Sequence, residues 1–198
     1  MNINKRKLYI DLDNTVFNSV KAVVDLYNID FCKHDNYKHI HWTDISEYGF
    51  TQLHCGQDLD YNNYYYKYFD DKRFFDILEY MDNAEEVLQE LFRRFYIIFV
   101  SKGSEKNKQL KSAYLSKLFN GLDYDLIMLA EHTTDKSSVD MSDGICFIDD
   151  MPTNLQYSNC PHKVLFGDIF EWVDVDISNY VLCVNWVDVL NYINTLGD

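Results

Sequence analysis

The sequence holds little that would loosen a chain: of 198 residues, two are proline and seven are glycine. With no Pro/Gly-rich hinge, tandem repeat or low-complexity linker, it reads as one compact unit, long enough for one α/β domain with a modest insertion. No apolar run approaches the ~18 residues that suggest a membrane span. At the N-terminus Lys5, Arg6 and Lys7 are followed only by Leu8, Tyr9 and Ile10 before Asp11, so this stretch is not expected to be a signal peptide. Cysteine is odd in number, with Cys32, Cys55, Cys146, Cys160 and Cys183 forming no Cys-x-x-Cys pair. That usage fits reduced thiols and a cytoplasmic location better than a disulfide framework. Positive charge is scarce: 18 basic against 32 acidic residues give a net −14, which repels polyanions and anionic membranes. Duplex nucleic acid and membranes are therefore not expected partners, while a single nucleotide held with a cation remains acceptable. A homodimer is compatible with the sequence. What is plentiful is apolar material, 47% of residues, enough for a real core.

Three short runs organise that core. Leu8-Tyr9-Ile10, Tyr96 to Val100 and Gly144 to Ile148 are apolar without alternation, as strands buried on both faces of a parallel sheet are. Each ends in chemistry: the first in Asp11 and Asp13, the second in Ser101, the third in Asp149 and Asp150. Ligands of such sheets bind beyond the carboxyl ends of the strands. Lys136 follows Thr133-Thr134-Asp135 in a polar loop ahead of the third run.

A carboxylate can attack phosphorus and form an acyl phosphate, and a second one nearby can hand a proton to the leaving oxygen. Two anions facing an anionic substrate need a cation, and oxygen ligands point to Mg²⁺. Asp11, the backbone carbonyl of Asp13 and one of Asp149 and Asp150 are the candidate ligands, the other of that pair orienting the first; the residues themselves do not separate the two. Ser101 is placed to hold a phosphate oxygen, and Asn14-Thr15 open a turn whose N–H groups can do the same. Lys102 competes with Lys136 as the phosphate lysine, though its side chain should alternate away from Ser101 on a continuing strand. Read alone, Asp-Leu-Asp-Asn-Thr is also compatible with a plain polar turn.

Together these segments resemble the four motifs of the haloacid-dehalogenase-like (HAD) phosphatases. Within that superfamily, Asp135-Lys136-Ser137-Ser138-Val139, Phe147-Ile148-Asp149-Asp150-Met151-Pro152, Trp42-Thr43-Asp44-Ile45 and Phe74-Phe75 resemble segments of the 5'(3')-deoxyribonucleotidases, bacterial and phage forms included. The likeness runs from residue 7 to 165. It implies a Rossmann-like α/β core with a central parallel sheet flanked by helices (1–27 and 74–198) and a small, mainly helical cap inserted after the first strand and helix (28–73). It also implies a Mg²⁺-dependent phosphomonoesterase for nucleoside monophosphates, with Asp11 as nucleophile, Asp13 as acid and base, Lys136 on the phosphate and Asp150 as the direct metal ligand. Two positions depart from that family: Asn18 stands where an acidic residue is common, and Ser19 where an aromatic often follows. Phosphatases of other small phosphomonoesters or of nucleic-acid ends, and a non-catalytic binding protein of the same fold, are the alternatives.

The spacing elsewhere predicts helices over Val16 to Tyr27, from a capping box at Asn83 and Glu86, over Lys106 to Phe119 with Leu110, Ala113, Tyr114 and Leu118 inward and basic residues on other faces, and over Trp186 to Leu196. Leu126 to Ala130, Lys163 to Phe166 and Tyr180 to Val184 read as further strands, with a turn at Pro152 and Asn154. In the insertion, Tyr61, Tyr64 or Tyr65, and Tyr68 share a helical face, suited to packing or to stacking on a base. His34, His39, His41 and His54, near Cys32 and Cys55, match no familiar zinc spacing and read as surface histidines.

Overall fold

The computed structural model describes residues 5–46, 50–55, 64–167 and 177–197. Six parallel strands form one sheet: β1 (Lys7–Ile10), β2 (Tyr96–Gly103), β3 (Tyr124–Ala130), β4 (Gly144–Asp149), β5 (Lys163–Phe166) and β6 (Val181–Cys183). Their order is β3-β2-β1-β4-β5-β6, so the chain leaves β1 toward one edge and later returns to its other side. Such a reversal opens a crevice at the carboxyl ends of the central strands.

Both faces of the central strands are covered, which is why Leu8 to Ile10, Ile97 to Val100 and Ile145 to Ile148 are apolar without a break. Leu8, Ile10, Ile97, Phe99, Cys146 and Ile148 face one layer, where α3 (Ala84–Arg94) contributes Val87, Leu88 and Leu91, α4 (Glu105–Leu118) contributes Leu115, and α6 (Trp186–Thr195) contributes Trp186, Val189 and Ile193. Tyr9, Ile98, Val100 and Phe147 alternate to the other face, under Val139, Met141, Cys160 and Leu155 of α5 (Pro152–Tyr157).

A separate apolar cluster joins α1 (Ser19–Phe31) to Ile45, Phe50, Leu53, Tyr65, Tyr68 and, from α2 (Lys72–Ile77), Phe74 and Phe75. The first helix, which the sequence boundaries put with the core, buries Val20, Val23, Val24 and Tyr27 in this cluster. Arg73 ties it together at the surface, donating to both Asp30 oxygens at 2.7 and 3.0 Å and to Asp71.

Several local expectations need correction. The helix expected from Val16 begins at Ser19, because Val16 and Phe17 bend back to the Leu12 carbonyl and Asn18 caps the Lys21 N–H at 2.9 Å. Asn83 forms no side-chain cap: its φ of 63° puts it in the left-handed region. The turn at Pro152 is the short helix α5, with proline in its first turn, where the missing N–H costs nothing. The tyrosine-rich stretch forms a 3-10 helix, Tyr64–Asp70, which buries Tyr65 and Tyr68; Tyr61 lies outside the described residues. On α4 the fully buried residues are Asn107, Lys111 and Leu115; of the residues expected inward, Leu110, Tyr114 and Leu118 pack half-buried against the two apolar clusters and Ala113 is exposed. No helix among the described residues is long and apolar enough to cross a membrane.

Candidate active site

The strand that carries the first carboxylate is held in the sheet past its last residue, with the Asp11 N–H donating to the Ile148 carbonyl at 2.9 Å. The chain then turns at Asn14, φ 56°, a conformation asparagine tolerates better than most residues. The Asn14 side-chain oxygen accepts from the Val20 N–H at 3.1 Å and its own N–H reaches the Phe17 carbonyl at 2.8 Å. Two distant elements brace this loop: Met81 donates to the Val16 carbonyl, and the Trp186 indole N–H donates to the Thr15 carbonyl, each at 2.8 Å.

Lys136 is sealed from solvent at 1% exposure; its ammonium ion-pairs with Asp11 and lies 2.7 Å from Asp149 Oδ2. The remaining capacity of Asp149 is filled by the Met151 N–H at 2.8 Å and by the Asn154 amide, 2.9 and 3.1 Å from its two oxygens. Asp150 differs: among the described residues none donates a hydrogen bond to its carboxylate. Asp11, Asp149 and Asp150 each present an oxygen within 4.8 Å of the others, the one such cluster of metal-ligating side chains among the described residues. Hard oxygen donors at this spacing fit a small divalent cation such as Mg²⁺.

Asp13 faces a different set. Its Oδ1 accepts from Ser19 Oγ at 2.7 Å, and its Oδ2 accepts from the Lys111 ammonium and, at 3.3 Å, from Ser101 Oγ. Lys111 Nζ is also 2.7 Å from Ser101 Oγ. The two lysines thus divide the carboxylates, Lys136 serving Asp11 and Asp149 and Lys111 serving Asp13.

Electrostatics follows this division. Burial, with the neighbouring charges of Asp149 and Asp13, pushes Asp11 up to about 7 even against Lys136. Burial and the Asp11 and Asp149 charges push Asp150 well above the carboxylate range. Burial would also raise Asp13, but Lys111 outweighs it and, with Ser19, holds that carboxyl below its usual value. Lys136 is raised, since Asp11 and Asp149 overcome the effect of burial.

Asp11, Asp13, Ser101, Lys136 and Asp150 line a cavity of about 330 Å³. Its walls are apolar on the side of Val20, Ile45, Phe50, Tyr66 and Phe69, and polar on the side of Lys102, Ser104, Asn107, Glu131, Thr133 and Thr134.

Of the residues singled out by sequence, Asp11, Asp13, Ser101, Lys136, Asp149 and Asp150 come together. Lys102 lines the cavity but reaches toward the Thr133 and Thr134 carbonyls, at 3.5 and 3.3 Å, instead of the carboxylates. Thr15, expected on the phosphate, is fully buried and turned to Asp11, its hydroxyl 3.4 Å from Oδ2. Lys111 escaped the sequence reading because a lysine in mid-helix ordinarily reads as solvated. The available signal was its four-residue spacing from Asn107 and Leu115, one stripe on the helix that follows Ser101.

The sequence matches the family model "5' nucleotidase, deoxy (Pyrimidine), cytosolic type C protein" over residues 5–195. A comparison with curated protein sequences finds no match. Among solved structures, the fold is similar to a HAD-superfamily hydrolase of subfamily IA from Geobacter sulfurreducens, with TM-score 0.59, 12% identity and 99% of each chain covered. A HAD-superfamily hydrolase from Ehrlichia chaffeensis gives 0.58 at 17% identity with both chains fully covered, 100% each. A magnesium-bound HAD hydrolase from Bacillus subtilis gives 0.56 at 12%, covering 97% of this chain and 100% of that one. With a family match along nearly its whole length and the HAD fold beneath it, the chain belongs to the deoxy (pyrimidine), cytosolic type C 5' nucleotidases and is a phosphatase of the nucleotidase type.

Proposed function

We propose that the protein hydrolyses nucleoside monophosphates, deoxyribonucleotides foremost, with Asp11 as nucleophile. The observation that carries this reading is the convergence of Asp11, Asp13, Ser101, Lys136 and Asp150 at one end of a cavity whose other walls are partly aromatic. Phosphate belongs at the charged end, and the nucleoside against Phe50, Tyr66 and Phe69.

The cofactor is Mg²⁺, which Asp11, Asp150 and the Asp13 backbone carbonyl would hold. Asp150 is the direct ligand and Asp149 the orienting neighbour, because the Asp149 oxygens are already engaged by Lys136, Met151 and Asn154. When bound, the ion neutralises phosphate charge and brings phosphate and nucleophile together. An Asp11 oxygen attacks phosphorus in line, and the bond to the leaving alcohol breaks as Asp13 protonates that oxygen. Water then attacks the aspartyl phosphate, gives its proton to Asp13, and frees Asp11 and inorganic phosphate. Ser101 and Lys136 hold the non-bridging oxygens. Against burial, Lys111 and Ser19 hold Asp13 below its usual value in the free protein, so its proton arrives with the substrate: a phosphate whose charge lies beside Asp13, and which takes the Ser101 hydroxyl from it, raises its proton affinity. From the 28–73 insertion, Ile45, Phe50, Tyr66 and Phe69 line the cavity and would cover the leaving group and exclude water. Residues of this reaction are presented to small substrates in a cytoplasmic setting, with no role for duplex nucleic acid or membrane.

The test is phosphate release from ribo- and deoxyribonucleoside 5'- and 3'-monophosphates and from sugar phosphates, with Mg²⁺ and with EDTA. Deoxyribonucleotides should be cleaved best and EDTA should abolish turnover. Preference for sugar phosphates would overturn the substrate assignment, and turnover in EDTA would overturn the metal.

A further inference from the structure

Ser19 is one of the two positions at which this chain departs from the deoxyribonucleotidase pattern, and the structure gives the substitution a use. Its side chain is fully buried, does not line the cavity, and points its hydroxyl at Asp13 Oδ1, 2.7 Å away. Val20, the next residue, takes the place on the cavity wall. Ser19 opens α1, and its own N–H donates to the Phe17 carbonyl at 2.9 Å, so the hydroxyl is presented from a fixed backbone. That backbone is anchored further by the Asn18 side chain on the Lys21 N–H and by α1 packing into the second apolar cluster. The opposite oxygen, Oδ2, faces Lys111 and Ser101, and of these Ser101 lines the cavity, where a substrate phosphate can take its hydroxyl.

We propose that Ser19 is a positioning residue for the acid: it pins Oδ1 of Asp13, so that the carboxylate keeps its plane when Oδ2 exchanges its partners for the substrate's leaving oxygen. The inference rests on Asp13 as the acid of the proposed reaction. A carboxylate fixed through one oxygen loses little orientational freedom in the transition state, whereas one freed by loss of the hydroxyl samples unproductive rotamers.

The experiment compares kcat/KM for a nucleoside monophosphate, whose alkoxide must be protonated, with that for 2,4-dinitrophenyl phosphate, whose phenolate leaves unaided, in the Mg²⁺-loaded enzyme. Ser19→Ala should lower the first by about tenfold and change the second by less than about twofold, as expected for weakened general-acid assistance. Ser19→Thr, which keeps the donor, should restore the nucleotide value, and circular dichroism checks that both variants fold. Asp13→Asn supplies the reference. If it slows the nucleotide far more than the aryl ester while Ser19→Ala slows both equally or neither, the positioning role is wrong. If Asp13→Asn itself fails to discriminate, the acid assignment on which the inference rests is wrong.

Discussion

Lys136 and Asp149 form an ion pair, 2.7 Å from Nζ to Oδ2, at 1% and 0% side-chain exposure, in a site where Lys136 also serves Asp11. Buried charge of this kind persists only when paired, and here two carboxylates, Asp11 and Asp149, share one lysine. Lys136→Met should therefore destabilise the metal-free protein by roughly 3–5 kcal/mol, the cost of breaking a buried pair. Mg²⁺ should recover part of that loss. Urea denaturation in EDTA and in Mg²⁺ measures both, and an equal effect in the two conditions would contradict the shared-charge picture.

The Asp11 shift gives a pH dependence with a definite sign. Its folded value of about 7 lies above the ordinary 3.8, so the folded state holds a proton that the unfolded chain releases between those values. Stability from this group is fully present below about pH 4 and is lost as pH rises through 7. Metal-free protein should lose stability from pH 5 to pH 8 relative to Asp11→Asn, whose amide does not titrate. Mg²⁺, which favours the anion, should stabilise most at the upper end. Thermal melts across that range test it, and a flat difference between the two proteins would refute it.

Gly103 ends β2 where the Asn107 side chain crosses it. A Cβ there would lie 2.3 Å from Asn107 Oδ1 and 2.9 Å from its Cγ. Asn107 has no easy retreat, since its amide donates to the Phe69 carbonyl at 2.5 Å and it is 1% exposed. Gly103→Ala should cost about 1–3 kcal/mol by overpacking. Because Asn107 and Phe69 line the cavity, KM for the nucleotide should rise as well; unchanged KM would show that the displacement is absorbed elsewhere.

Trp186→Phe keeps most of the apolar volume but removes the indole N–H that satisfies the Thr15 carbonyl. An unpaired buried carbonyl costs about 1–3 kcal/mol. Since that carbonyl belongs to the loop between Asp13 and Ser19, kcat should fall along with the melting temperature. A variant of lower stability but full kcat would mean that the loop holds its shape without the tryptophan.

The sheet was legible because buried parallel strands need uninterrupted apolar runs, and Leu8-Tyr9-Ile10 and Gly144 to Ile148 have few other uses. Their carboxyl ends were legible for the same reason: the polar residues there begin where the apolar run stops. Lys111 was not, since its burial depends on how closely α4 approaches the loop after β1, a tertiary distance that no local pattern encodes. Asn83 misled because asparagine suits both a cap and a left-handed turn, and only the backbone path decides between them. The cluster that claims α1 was hidden because its partners, Ile45, Phe50, Leu53 and Tyr65, are scattered through an otherwise polar stretch.

The central claim is a covalent phosphate on Asp11, and rapid acid quench of a single turnover with radiolabelled deoxyribonucleoside monophosphate and Mg²⁺ addresses it directly. The label should appear on the protein, be released by hydroxylamine, map to the peptide containing Asp11, and be missing from Asp11→Asn. Turnover with no protein-bound label at any quench time, or full turnover by Asp11→Asn, would contradict it.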